Sequence, residues 1–119
     1  PQVNNMSMKE HTQIDRLTYK RVRERDGGCC ILCGRPWYLQ CAHYIGRAQG
    51  GKGIPQNLVM LCAKCHRDYD NGAMRNDYGM AIRDYLKGWY PNWNEADLVY
   101  DKYEWLRVAQ DEAESETTD

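Results

Sequence analysis

Apolar positions in this chain come in short bursts, and one stretch carries a sustained period. Tyr78, Ile82, Tyr85 and Trp89 recur at i, i+4, i+7 and i+11, one face of an α-helix that Pro91 ends. Asn94 then reads as an N-cap with Glu95 and Asp97 in the first turn. Leu98, Trp105, Leu106 and Ala109 give that second helix a weaker apolar face. Helical spacing assigns the aromatics between Tyr78 and Trp105 to a core rather than to a stacking platform. Upstream, residues 15–26 are good helix formers with Leu17 and Val22 as sparse apolar contacts, stopped by Asp26-Gly27-Gly28. Residues 37–45 have the aromatic and β-preferring content of a strand or most of a hairpin, and residues 58–61 form a short apolar strand. Between them, residues 46–55 contain four glycines and predict a loop, and a short helix over 64–70 stops at Asn71-Gly72. Residues 1–12 show no apolar period and read as a flexible N-terminal arm. Residues 111–119 hold five acids and no base and read as a disordered acidic tail.

What lies between, residues 13–110, is one domain's length of protein in a chain of 119 residues. With 28% charged residues, no stretch reaches the ~20 apolar residues of a membrane span, and no apolar segment follows a basic start. A soluble, cytoplasmic protein without membrane partners is expected. The net charge of −1 hides a split: residues 16–75 contain 11 Lys/Arg against four Asp/Glu, a block of +7. Such a block is the footprint of a surface for polyanions.

Six cysteines without a secretion signal point to metal rather than disulfides. Cys30, Cys33, Cys62 and Cys65 form C-x2-C, a gap of 28 residues, then C-x2-C. Zinc takes four tetrahedral ligands, and two tight knuckles deliver four thiolates to one structural ion. A domain this small gains a staple from it. Cys29 and Cys41 are expected to be free thiols.

The gap is longer than a simple ribbon needs. It carries Ala42-His43-Tyr44-Ile45, Arg47, Gly50-Gly51 and Asn57-Leu58, and the second knuckle closes directly onto His66. From Cys30 to Asp70, with CILCG, AHYIGRAQGGKGIPQNLVMLCAKCH and YDNG, the chain resembles the HNH endonucleases braced by two Cys pairs. The later segment IRDYLKGWYPNWNEADLVY is similar to small phage-encoded members, some of which lie beside terminase genes. The resemblance implies an α+β fold: a ββα-metal core with a structural four-cysteine zinc site, flanked by an N-terminal helix and two C-terminal helices. It also implies metal-dependent hydrolysis of DNA, expected double-stranded, to 5′-phosphate and 3′-hydroxyl ends. The setting it implies is a bacterial host cell, with phage or prophage origin and a terminase as candidate partner.

By the same resemblance His43 is the general base, and Asn57 braces its loop and in some relatives touches the ion. His66 is a ligand of a catalytic divalent ion, Mg²⁺, Mn²⁺, Ni²⁺ or Zn²⁺. Arg47 and Lys52 in the glycine loop, with Lys64 and Arg67 around His66, are the DNA-contact candidates. One position departs: many relatives carry an Asp or His ligand where this chain has Ala42. Asp70, one helical turn after His66, and Cys41, two strand residues before His43, are the possible substitutes, and a hard ion favours Asp70. The rival readings are a non-catalytic zinc module that binds DNA or a terminase-like protein, and a nuclease directed at RNA. If the basic block meets phosphates, affinity for DNA falls steeply between ~50 and ~200 mM salt. A binding titration that is flat over that range would reduce the block to a solvated surface.

Overall fold

The computed structural model describes residues 7–101 and Tyr103. Its elements run α1 (Met8–Thr12), α2 (Arg16–Arg25), β1 (Leu39–His43), β2 (Leu58–Cys62), α3 (Ala63–Asp70) and α4 (Arg75–Trp89). Single 3-10 turns cover Arg47–Gln49, Pro55–Asn57 and Glu95–Leu98. The two strands pair antiparallel, with Leu39 opposite Cys62 and His43 opposite Leu58. The chain passes from β2 into α3 without a linking residue. This is the expected ββα order.

All five residues of β2 are buried, which explains the unbroken apolar run Leu58-Val59-Met60-Leu61 where a half-exposed strand would alternate. Leu58 and Met60 pack with Val22 of α2, joined by Leu39 and Cys41. Val59 and Leu61 lie in a second cluster with Ala42 of β1, Tyr69 of α3, and Ile82 and Leu86 of α4. The ribbon is therefore the middle layer between α2 and the α3–α4 pair. Each fully buried Leu, Ile or Met contributes roughly 1.5–3 kcal/mol against exposure. On α4 the buried positions are Ile82 and Leu86, while Trp89, expected on the same face, is 49% exposed. Tyr78, Tyr85, Tyr90 and Trp93 pack against the core rather than standing free.

A buried ion pair closes the outer edge of β2. Arg25 grips Asp26 through Nε (2.7 Å), and their side chains are 9% and 0% exposed. Arg25 Nη1 donates to the Pro55 carbonyl at 2.7 Å and Nη2 to the Leu58 carbonyl at 2.6 Å. Asp26 accepts from the Met60 backbone N–H at 2.8 Å and from the Tyr85 hydroxyl at 2.5 Å.

The four cysteines of the two knuckles come together: their Sγ atoms all lie within 4.8 Å of one another. Cys33 and Cys62 Sγ are 3.6 Å apart. Four sulfurs each about 2.3 Å from one zinc would stand roughly 3.8 Å apart, so the cluster fits a tetrahedral structural zinc. The donor chemistry agrees. Burial opposes a thiolate at Cys62, but the Cys65 backbone N–H, the neighbouring thiols and Arg35 outweigh it and draw that thiol down to about 6. Burial and its neighbours push Cys65 up. A zinc ion would displace the protons still held. Cys29 stays outside the cluster, its thiol turned to the Gly27 carbonyl.

Two expectations are corrected here. The arm expected over residues 1–12 is helical at Met8–Thr12, capped by Ser7 Oγ on the Glu10 N–H, and Thr12 is 2% exposed. Residues 1–6 lie outside the described part. The second C-terminal helix begins as expected with Asn94 capping Ala96 N, but it is one 3-10 turn, and Val99 then extends to bridge Gly51. The glycine loop offers its backbone there, and Tyr100 N bonds Gly50 O at 2.7 Å in place of a helical carbonyl. The rest of that predicted helix and the acidic tail fall outside the described residues, apart from Tyr103. Among the described residues, no helix is long and apolar enough to cross a membrane.

Two stability outcomes follow. Asp26→Ala leaves the Arg25 charge buried without its partner and lowers unfolding free energy by ~3–5 kcal/mol in a denaturant titration. Asp84→Ala, whose contact with Arg83 is exposed, shifts it by no more than ~0.5 kcal/mol. Cys62→Ser abolishes zinc in metal analysis and the cooperative melt with it, whereas Cys29→Ser keeps both. A Cys62→Ser protein that retains zinc and melts like the parent would remove the four-cysteine site.

Candidate active site

His43 ends β1, and its position is fixed by segments on three sides. The Tyr44 N–H that follows it donates to the Asn57 carbonyl at 2.7 Å. Asn57, fully buried just ahead of β2, ties the loop after His43 together. Its Oδ1 accepts from Ile45 N at 2.8 Å, and its Nδ2 donates to Ile45 O at 3.1 Å and Lys52 O at 2.9 Å. Gly51 makes this possible, because a Cβ there would overlap the Ile45 carbonyl and crowd Asn57 Nδ2. Asn57 thus links the backbone at residues 45 and 52. Its carboxamide bonds backbone groups at both ends.

The third side is α1. His43 Nε2 lies 2.9 Å from the Thr12 carbonyl oxygen. A carbonyl only accepts, so Nε2 carries the proton and, in the neutral ring, Nδ1 keeps its lone pair. Half-burial disfavours the imidazolium; with Arg47 and His66 opposing charge as well, His43 is held below its ordinary value despite the Thr12 contact and Asp70. The ring is a neutral base at pH 7. Gly53 lets α1 reach this place: its N–H bonds His11 O at 3.0 Å, and a Cβ there would overlap the Gln13 carbonyl. His11 itself stacks on Tyr100, ring centroids 4.7 Å apart.

His66 projects from α3, with Asp70 one turn later on the same face. Its Nδ1 faces Gln40 Oε1 at 2.5 Å, and its Nε2 stands 3.1 Å from Asp70 Oδ2. With the Nδ1 proton given to Gln40, Nε2 and the carboxylate present two lone pairs to one point. Neighbouring donors about 2.1 Å from an octahedral ion are separated by roughly 3.0 Å, so this pair fits one edge of such a shell. Among the described residues, no third His, Cys, Asp or Glu joins it, since the only cluster of three or more is the four-cysteine one. Ala42 offers nothing to an ion and is 1% exposed inside the α4-side core. Cys41, the other candidate substitute, packs on the α2-side core, and burial pushes its thiol up to about 11, away from the thiolate a ligand must be.

The four DNA-contact candidates divide. Arg47 reaches Thr12 Oγ1 at 3.4 Å and acts electrostatically on His43. Lys52 is in the braced loop, its N–H bonded to Leu98 O at 2.7 Å. Lys64 pairs with Asp68 at 2.9 Å, two residues and so roughly half a turn away from His66 on α3. Arg67 borders a different cleft, with Arg35, Trp37 and Tyr38.

Three contributors escaped the sequence reading: the Thr12 carbonyl, Gln40, and Gly53. A signal existed for the first. Ser7-Met8-Lys9-Glu10 has the spacing of a capping box, and Ser7 Oγ does meet both Glu10 N and Glu10 Oε1 at 3.3 Å.

Comparison with known proteins gives a similar protein and a family match. The chain is 29% identical to Anaredoxin of Nostoc sp. over 66 residues, covering 52% of this chain and 83% of that relative. The pattern of the HNH endonuclease family matches residues 30–72. That span begins at the first zinc-knuckle cysteine, contains both strands and α3, and ends at the turn after Asp70. Residues 30–72, which match the HNH endonuclease family, are folded here as a ββα unit with its two cysteine pairs gathered at one point.

Proposed function

We propose that the chain hydrolyses phosphodiester bonds of DNA, with His43 as general base and His66 and Asp70 as the protein ligands of one divalent ion. The observation that carries this is the tautomer of His43. The Thr12 carbonyl takes Nε2–H, which leaves Nδ1 as the proton acceptor, on a ring within electrostatic reach of His66 and Asp70. In the reaction Nδ1 takes a proton from the attacking water, and the Thr12 oxygen then faces an imidazolium, so the charge forms against a fixed dipole. Asn57 does not touch the reacting atoms; it keeps the loop after His43 at one spacing from β2. Arg47 is placed to hold a phosphate oxygen beside the base. Gln40 orients His66 by holding Nδ1, so that Nε2 stays turned to Asp70. His66 and Asp70 would hold a divalent ion, which would supply stabilisation of the charge that develops during phosphodiester hydrolysis.

Cleavage of double-stranded DNA to 5′-phosphate ends, a phage or prophage source, a terminase as partner and residence in the host cytoplasm belong to this proposal through the family resemblance alone. One observation favours the non-catalytic reading: Ala42 withdraws a ligand position into the core and leaves two protein donors. Plasmid nicking across Mg²⁺, Mn²⁺, Ni²⁺ and Zn²⁺ decides between the two, and absence of nicking with every ion removes the enzyme.

His43→Ala lowers the nicking rate by about 10²–10⁴-fold while calorimetric ion affinity stays at the parent value. His66→Ala and Asp70→Ala each weaken the ion, and excess ion restores part of the rate. Equal ion affinity in parent and Asp70→Ala would show Asp70 to be a helix-end residue only. Burial favours neutral His43, so the acid limb of kcat/KM falls below the ordinary imidazole value of about 6.5, and the rate is level through neutrality. A limb above that value would assign the titration to another group.

A further inference from the structure

At the end of the ribbon opposite His43, a cleft of about 300 Å³ lies between the segment after the first zinc knuckle and the start of α3. Arg35, Trp37, Tyr38, Lys64 and Arg67 line it with Cys62 and Ala63, and no carboxylate is among them. The two aromatics are consecutive and stand out of the protein, Trp37 59% and Tyr38 80% exposed. These are the largest exposures among the exposed large hydrophobic side chains of the described residues. The core does not need these rings.

Their presentation is built. Tyr38 has φ 54°, the only positive φ at a non-glycine position among the described residues, in a region costly for a bulky side chain. The Ala63 N–H holds its carbonyl at 2.9 Å, locking the strained residue to the first turn of α3. Arg35 is exposed and close enough to the Cys62 sulfur to interact with it. Lys64, 60% exposed, leans on Asp68 in a surface pair that a phosphate can exchange. Arg67 is exposed and adjoins His66 in sequence.

Rings with free faces beside cations, and no acid lining the cleft, suit a strand whose bases are unstacked. Paired bases in a duplex are already stacked on each other and offer their edges, whereas an unpaired strand can lay successive bases on Trp37 and Tyr38 while Arg67, Lys64 and Arg35 meet its phosphates. We infer that this cleft binds a single-stranded segment of DNA next to the duplex held at His43, so that the protein prefers duplexes carrying an unpaired tail. This deepens the proposed function and rests on it for the identity of the substrate. Helix α3 couples the two surfaces, with His66 and Asp70 serving one and Lys64 and Arg67 the other.

The test is binding by the His43→Ala protein, without added divalent ion, to a blunt fluorescent duplex and to the same duplex carrying a single-stranded tail. The tail is expected to tighten binding roughly tenfold, the scale of base–aromatic stacking. Adding Trp37→Ala with Tyr38→Asn, the latter tolerant of positive φ, should return the tailed duplex to the blunt value. The same pair of changes in a protein with His43 intact should leave plasmid nicking at the parent rate. Zinc content and melting temperature verify the fold. Should the double variant not fold, Arg67→Glu, an exposed helix position, must also reduce the gain from the tail. Equal affinity for tailed and blunt duplexes in the His43→Ala protein overturns the inference, as does a tail effect that survives these substitutions. Because cutting is not needed here, absent nicking would sink the enzyme reading alone, and an absent tail effect would sink this one alone.

Discussion

The constraint on which the structure depends is that β2 is buried on both faces in a sheet of only two strands. Such a sheet has two open edges, and an edge that is covered by helices must find partners for its backbone groups other than water. β1 satisfies one edge of β2. The other is satisfied by an ion pair and a knuckle: Arg25 takes the Leu58 carbonyl, Asp26 takes the Met60 N–H, and the Ile31 N–H takes the Met60 carbonyl at 3.0 Å. Burying Arg25 and Asp26 would be costly if either were alone. They grip one another, and Pro55, Tyr85 and Tyr90 take their remaining capacity. One adjacent charged pair at the end of α2 thus connects β2, the loop before it and α4.

Everything chemical is then a matter of what β2 positions at its two ends. At its start, Asn57 reaches back across the loop and sets where the chain leaves His43. At its finish, Cys62 is at once the last strand residue, a zinc-site ligand and the N-cap of α3, its sulfur accepting from Cys65 N at 3.4 Å. The first ligand of the second knuckle therefore sets the phase of α3. Four residues on from Cys62, that phase presents His66. The cysteine cluster is structural in a specific sense: it fixes the angle at which the face carrying His66 and Asp70 leaves the sheet.

Sequence reading reached this arrangement wherever the residue type carried its own reason. Cysteine spacing announced the cluster, the apolar run announced a short strand, and the i, i+4 relation of His66 and Asp70 placed them on one helix face. It failed where the determinant was a backbone group or a contact distant in sequence. No residue type marks the Thr12 carbonyl as the partner of a histidine 31 positions later. Arg25-Asp26 reads as one more charged pair at a helix end, since burial is what distinguishes it. The segment after Asn94 misled for a related reason. Its cap is real, but Gly50 and Gly51 offer a bridge to Tyr100 and Val99, and tertiary pairing overrides local helical preference.

Ala42 shows how the same constraint shapes the chemistry. At 1% exposure it fills the α4-side core beside Val59 and Leu61, directly opposite Val59 in the ribbon. A carboxylate on that site would have to turn out of the core or be desolvated among aliphatic side chains, at a cost of several kcal/mol. The small residue lets Val59, Leu61, Ile82 and Leu86 close into one cluster. On α3, by contrast, Asp70 beside His66 is 53% exposed and free of that penalty. An ion edge built on one helix is defined by i, i+4 geometry and does not need the strand to supply a charge.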